Sequence, residues 1–491
     1  MSRKRTIVDC YTDEPAGLGV PPFLGVWPRY AAGRLSDEPV YLTIDDLRLA
    51  DWKARIKPAT FDPPTGRTRI DLINHTRSAE EVRQTLKQTD QLIAIVGIQT
   101  PGKYLSARPG TLAEVVKLLS PYKFRRILAG PVVTGGTQLR GGGHAEVPGA
   151  KDFHELREIS FDSYSELQPC MLKGAAIFNQ IPQSRIVEIE TGRGCTRSEG
   201  CSFCTEPVKN VLQWRNAGDI IEEVKTFMTL GATAFRLGKQ CCIFSYQQGD
   251  VGKIGELLQG LAALGPEVLH VDNANPVMIT EERARLFARY LTPGSTAAMG
   301  VESFDPEVAG LNNLNCTRET VFEAIRILNR IGGGSSENGC PVLLPGINIL
   351  LGLNGETAKT LEKNFAALKQ MLDEGLLIRR INIRQVVPFP GTKLYELVGD
   401  KFLRKNRVLY GRWIEKVRHE IDLEMLKRVF PAGTILRRVR SEIHEGNVTF
   451  CRQVGSYPII VAVRSRLPLG KYFDLRITDH MLRSLTGEVI D

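Results

Sequence analysis

Between residues 181 and 400, short apolar runs alternate with longer amphipathic ones, and few folds accept that pattern. The apolar runs are RIVEIET, AFRLGK, EVLHVDNA, AAMGVES, GINILLGL and INIRQVVPF. Helical runs such as AGDIIEEVKTFMTLG, TRETVFEAIRILNRIG and TAKTLEKNFAALKQMLDEG lie between them. Parallel strands need a long crossover connection, usually a helix, so strand–helix alternation specifies an α/β chain with a parallel sheet. Six such strands predict a complete or partial parallel barrel over residues 181–405, with its chemistry at the C-terminal ends of the strands.

The flanks read differently. Residues 1–180 predict a Rossmann-like parallel α/β domain, with strands in RTIVDC, VYLTIDDL, QLIAIVGIQT and RRILAGPVV and a helix in TLAEVVKLLS. Ligands of such sheets lie outside the carboxyl ends of the strands, where the loops after Cys10, Gln99 and Val133 would meet. The Gly/Pro-rich segment Asp13 to Pro22 is expected to cap a strand end. Residues 406–430 look helical and basic, a connector. Residues 431–491 break into TILRRVRSEI, NVTFCRQV, YPIIVAV, YFDLRIT and GEVI, which predict a small antiparallel β-barrel.

Composition settles the broad class. Apolar residues make up 42% and charged residues 24%, so the chain has material for large cores and is not disordered as a whole. No apolar run reaches the roughly 18 residues of a membrane-spanning helix, and no secretory signal follows the N-terminus, so a cytoplasmic protein without a membrane partner is expected. The net charge is +9. Residues 401–491 hold 18 Lys and Arg against 10 Asp and Glu and so carry almost all of it. That asymmetry predicts a polyanion-binding module, with nucleic acid the usual partner; a solvated basic face is the competing reading.

Ten cysteines are too few and too scattered for a disulfide framework. One tight group stands out, in TGRGCTRSEGCSFCTEP from Thr191 to Pro207. It places Cys195, Cys201 and Cys204 in a C-x5-C-x2-C array just after a strand. Three thiolates can wrap one soft metal centre. Structural zinc, the competing reading, takes four ligands, and no fourth Cys or His is near in sequence. On a cubic iron–sulfur cluster, three cysteines leave one iron open.

At these residues the chain resembles the radical S-adenosylmethionine (SAM) superfamily. Most members carry C-x3-C-x2-C with an aromatic residue before the last Cys, a position Phe203 fills; here the first gap is longer by two. FRLGKQ (Phe235 to Gln240), MGVESFD (Met299 to Asp305), NILLGLNGET (Asn348 to Thr357) and VVPFPGTKLY (Val386 to Tyr395) are similar to the family's later strand-end motifs. The last is shared with the methylthiotransferases and the Elongator catalytic subunit. The resemblance covers about residues 185–400. It implies a [4Fe–4S] cluster on Cys195, Cys201 and Cys204, with Gly238, Gln240, Glu302, Asn348 and Arg384 around SAM. It also implies reductive SAM cleavage to a 5′-deoxyadenosyl radical, fed by an electron donor such as a ferredoxin or flavodoxin. Arg193 and Arg197 either tune the cluster or are surface charges. Cys241 and Cys242 read first as small buried residues, with a second cluster or a covalent intermediate as the competing reading. His270 and Asp272 are expected to face the cavity, and Asn273 or Asn275 to touch SAM or to cap a helix.

The C-terminal segment resembles the TRAM domain of tRNA-modifying enzymes in the run Arg452 to Val461, in Gly446 and Gly470, and in the terminal LTGEV. The resemblance implies an RNA partner, tRNA foremost, with Arg437, Arg438, Arg440, Arg452, Tyr457, Arg464, Arg466 and Lys471 as contacts. The expected activity is methylation of, or sulfur insertion into, RNA. Only Cys10 and Cys170 precede the array, so the second cysteine triad of the methylthiotransferases is missing. The N-terminal domain loosely resembles a cobalamin-binding domain. His75, His144 and His154 do not sit in its D-x-H-x-x-G motif, and cobalamin without a histidine ligand stays open. Two other readings are kept: a cobalamin-assisted methylase of a protein or small molecule, and a non-catalytic iron–sulfur RNA-binding protein.

Overall fold

The computed structural model describes residues 4–10, 23–51, 74–97, 109–138, 141–149, 151–182 and 186–490. Contacts divide the chain into two compact units. The first comprises residues 1–61, 68–192 and 213–235, and the second residues 62–67, 193–212 and 236–491.

The first unit is built on five parallel strands, β1 (Arg5–Asp9), β2 (Val40–Thr43), β3 (Gln91–Ile95), β4 (Arg125–Ala129) and β5 (Glu155–Arg157), in the order β2-β1-β3-β4-β5. Ile7, Val8, Leu92, Ile93, Ile127 and Leu128 are buried, as expected of parallel strands covered on both faces. Helices Ala79–Gln88 and Leu112–Leu119 add Val82, Leu86, Val115 and Leu119 to that core. The strand order reverses between β1 and β3, where such sheets bind ligands. The loops that follow, residues 11–22 and 98–108, lie outside the described residues, and with them the segment Asp13 to Pro22 and the loop after Gln99.

VYLTIDDL is not one strand. The extended backbone stops at Thr43, whose side chain caps the helix Ile44–Ala50 in a reciprocal box with Asp46. A capping box overrides the strand pattern in the residues that follow it.

A further strand, β6 (Ile186–Glu190), pairs in parallel with Phe23–Leu24. Beside it lies a fully buried charge network. Glu223 accepts from Arg215 at 2.6 Å and from Arg29, while Tyr30 and Tyr164 donate to Glu190.

In the second unit each predicted run holds a strand. These are β7 (Ala234–Gly238, whose last three residues belong here), β8 (Val268–Val271) with β9 (Asn273–Ala274), β10 (Ser295–Glu302), β11 (Leu343–Leu351) and β12 (Arg380–Gln385). Strands β9-β10-β11-β12 form a parallel sheet. Between them run helices Arg318–Gly332, boxed by Thr317, and Ala358–Asp373. Helix Lys401–Val417 is tied back through Glu356, which accepts from Asn406 and Tyr410.

The chain ends in a closed five-stranded barrel of β13 (Ile435–Glu445), β14 (Val448–Arg452), β15 (Ile460–Val463), β16 (Tyr472–His480) and β17 (Leu485–Val489), in the order β13-β14-β15-β17-β16. Its pairings are antiparallel except β15 with β17, which is parallel. Among the described residues no helix is long and apolar enough to cross a membrane.

Candidate active site

The cysteine loop turns at Gly194, whose φ is +82°; a Cβ there would lie 2.5 Å from the Leu212 Cα, so no side chain fits. Glu206 closes the loop by accepting from the Gly194 N–H at 2.7 Å and from Asn210 at 3.0 Å. Cys204 donates its backbone N–H to the Cys201 carbonyl at 3.0 Å.

Two adjacent asparagines after helix Pro306–Leu311 hold the loop. Buried Asn312 receives the Ser202 hydroxyl at 2.7 Å, and its carbonyl receives the Ser202 N–H at 2.9 Å. Asn313, at φ +50°, donates to the carbonyls of Glu199 and Gly200 at 3.0 Å each. It receives both arms of Arg197 at 2.8 Å, and Arg197 reaches Cys201 Sγ at 3.4 Å. Single asparagines in a turn carry no sequence signal of this role, and the sequence reading missed both.

The three thiols sense one another electrostatically. A hydrogen bond from Cys241 holds Cys195 down at about 6 against burial, with Arg197 assisting. Burial pushes Cys201 up to about 11 and Cys204 higher still. Iron would have to displace those protons. Among the described residues no three His, Cys, Asp or Glu side chains converge on a single ion. A cubane does not ask them to, since each thiolate meets a separate iron.

Glu302 acts electrostatically on this loop, and Arg384 acts on Glu302. Glu302 takes φ +65°, rare for a residue with a side chain, at a register shift between β10 and β11. Burial pushes its carboxyl up to about 7, opposed by Arg384, and its charge is felt by Cys201 and Cys316. Burial depresses the Arg384 guanidinium, which Tyr457, Glu302 and Asp272 counter. Gln240, only 2% exposed, follows the end of β7 at Gly238, and neither side-chain amide atom has a partner. A buried amide left so is costly unless a ligand satisfies it. Asn348 accepts from Asn382 at 3.0 Å across β11 and β12.

The other expected residues meet protein partners. His270 accepts the Ser456 N–H at 3.1 Å and is pushed down to about 4 by burial, a core histidine. Asp272 accepts the Tyr457 hydroxyl. Asn275 caps the turn Pro276–Met278 and donates its N–H to Cys242 Sγ at 3.2 Å, while Asn273 donates to the Gln240 carbonyl at 3.4 Å. Cys242 is buried; Cys241 instead lies against Cys195.

The expected RNA contacts divide. Arg452 and Tyr457 do not belong to the surface: Arg452 is buried against Glu442 at 2.9 Å, and Tyr457 is buried on Asp272. Arg440 is half-buried on the same Glu442. Arg437 and Arg438 are exposed but paired with Asp474 and Glu267. Arg464, Arg466 and Lys471 are exposed on the segment leading to exposed Tyr472.

A family model described as the radical SAM superfamily matches residues 189–367. The whole chain is 41% identical to an uncharacterized protein of Methanocaldococcus jannaschii, of which it covers 94%. It is 36% identical over 99% of its length to an uncharacterized protein of Archaeoglobus fulgidus, of which it covers 90%. Among solved structures it is similar to the radical SAM methyltransferase TsrM of Kitasatospora setae, with tryptophan substrate and a SAM analogue bound. That match has a TM-score of 0.49 and 13% identity, and covers 80% of this chain and 75% of that one.

Proposed function

Since the chain belongs to one family with the two archaeal proteins and is a radical SAM enzyme, we propose that it uses a SAM-derived radical to modify RNA, by methylation or sulfur insertion. One observation carries the catalytic half: Cys195, Cys201 and Cys204 occupy a single loop pinned by Asn312 and Asn313, near enough to Glu302 for its charge to reach Cys201.

The residues fit the cofactors. Cys195, Cys201 and Cys204 would hold a [4Fe–4S] cluster, and the unpartnered amide of Gln240 offers a donor and an acceptor to a polar ligand such as SAM. When bound and reduced, by a donor such as a ferredoxin or flavodoxin, the cluster supplies the electron that splits the SAM sulfonium. Glu302, with its carboxyl near neutrality, accepts a hydrogen bond or releases a proton beside Arg384, whose guanidinium receives an anionic group. The pinned loop keeps the three thiols in register.

Anaerobically reconstituted protein given dithionite and SAM is expected to release 5′-deoxyadenosine and methionine. Cys201→Ala is expected to lose both that release and the charge-transfer absorbance. Reconstituted wild-type protein that leaves SAM intact would refute the catalytic half.

The RNA half rests on the surplus positive charge of the C-terminal residues and on exposed Arg464, Arg466, Lys471 and Tyr472 on a closed, TRAM-like barrel. Affinity for tRNA is expected to fall as salt rises, since phosphate contacts release counterions. Neutralising Arg464, Arg466 and Lys471 together should cut the slope of log affinity against log salt by about 2–3; an unchanged slope would rule out this face. A second reading, a cobalamin-assisted methylase, is favoured by the β2-β1-β3-β4-β5 order of the N-terminal sheet, a ligand-binding arrangement. Corrinoid absorbance in anaerobically purified protein would select it.

A further inference from the structure

The lengthened gap between Cys195 and Cys201 carries Arg197, and we propose that this residue raises the reduction potential of the cluster through a charge-assisted hydrogen bond to the Cys201 thiolate. The inference rests on the cluster reading above and goes beyond it to how the cluster is tuned.

The geometry is specific. A guanidinium offers five N–H donors in a rigid plane. Arg197 spends one arm on each oxygen of Asn313, the carbonyl and the side-chain amide, at 2.8 Å each. Those bonds fix its plane and leave Nη1 at 3.4 Å from Cys201 Sγ. Asn313 cannot drift, because its own amide is bound to the carbonyls of Glu199 and Gly200 within the same gap. Its neighbour Asn312 is fully buried and clasps Ser202. The loop and the asparagine therefore hold each other, with the guanidinium between them.

The charge balance points the same way. Both partners of Arg197 on the asparagine are neutral, and among the described residues no carboxylate pairs with it. The nearest carboxylate in sequence, Glu199, is taken by Lys393 at 2.8 Å. The positive charge is thus directed at sulfur. A cluster on three thiolates gains one negative charge on reduction, so a fixed cation donating to a ligating sulfur stabilises the reduced form more than the oxidised form. A role confined to stapling the loop would alter cluster assembly and not the potential of clusters that do assemble.

The test is a redox titration followed by electron paramagnetic resonance on the full-length, anaerobically reconstituted protein. Wild type is compared with Arg197→Met, Arg197→Lys and Asn313→Ala, with iron and sulfide counted in each. In Arg197→Met the ratio of reduced to oxidised cluster at the wild-type midpoint is expected to drop about tenfold, equal to 59 mV for one electron. Arg197→Lys, which keeps the charge and loses the fork, should fall between the two. An unshifted midpoint in Arg197→Met with full iron content would overturn the proposal, even with SAM cleavage intact. If that variant does not hold a full cluster, Asn313→Ala decides: a shift of the same sign supports the proposal and no shift overturns it. Wild-type protein that forms no cluster would overturn both this proposal and the reading beneath it.

Discussion

Glu223→Ala is expected to destabilise the first unit by about 3–5 kcal/mol, enough to unfold a marginal domain. The Glu223 carboxylate is fully buried and shared by Arg215 and Arg29, both fully buried too. Burial pushes its carboxyl up, but the two guanidiniums outweigh burial and hold it below the usual range. Removing it takes away the buried negative charge that both guanidiniums share. Arg29 would keep the Gly25 and Glu188 carbonyls, and Arg215 the Glu190 carbonyl, so these hydrogen bonds survive while the ion pairs to Glu223 do not. Urea unfolding followed by circular dichroism measures the loss. Glu256→Ala, which removes the exposed partner of Lys253, is the control and should leave the midpoint in place. A Glu223→Ala midpoint equal to wild type would mean that the network contributes nothing.

Tyr457→Ala is expected to cost about 3–5 kcal/mol in the second unit, in the range for deleting a buried aromatic ring. The side chain is buried, donates its hydroxyl to Asp272 and lies under Arg380 at 5.4 Å, while its carbonyl receives Arg379 at 2.7 Å. The segment from Gln453 to Tyr457 thus leaves the C-terminal barrel and inserts beside β8 and β12. Tyr457→Phe keeps the ring and removes one bond to a carboxylate whose other oxygen already lacks a partner, so it should cost about 1–3 kcal/mol. Equal losses for the two variants would show that the hydroxyl carries the contact and the ring does not.

Period and spacing carried most of the architecture. RIVEIET, AAMGVES and GINILLGL became β6, β10 and β11 because apolar runs bounded by turn residues leave few alternatives. Ile44 to Leu47 did not follow the pattern, since the Thr43 cap competes with strand propensity and a window average hides it. The cysteine array was legible because three like ligands at short spacing are rare. The residues that hold it, Asn312, Asn313 and Arg197, were less so: the loop and the turn after helix Pro306–Leu311 meet only once the chain has folded. Tyr457 and Arg452 went to the wrong side of the barrel for a related reason. In a strand-rich segment, tyrosine and arginine suit an RNA face as well as a buried polar contact, and only a partner such as Asp272 or Glu442 tells the two apart.

The central claim is that three cysteines hold an iron cube with one corner left for SAM. Mössbauer spectra of protein reconstituted with 57Fe test it most directly, taken before and after SAM is added. The structure predicts that iron in a 3:1 division resolves on SAM binding, the single site alone changing its isomer shift, and that Cys201→Ala loses the cluster. Four sites indifferent to SAM, or zinc in place of iron at Cys195, Cys201 and Cys204, would contradict it.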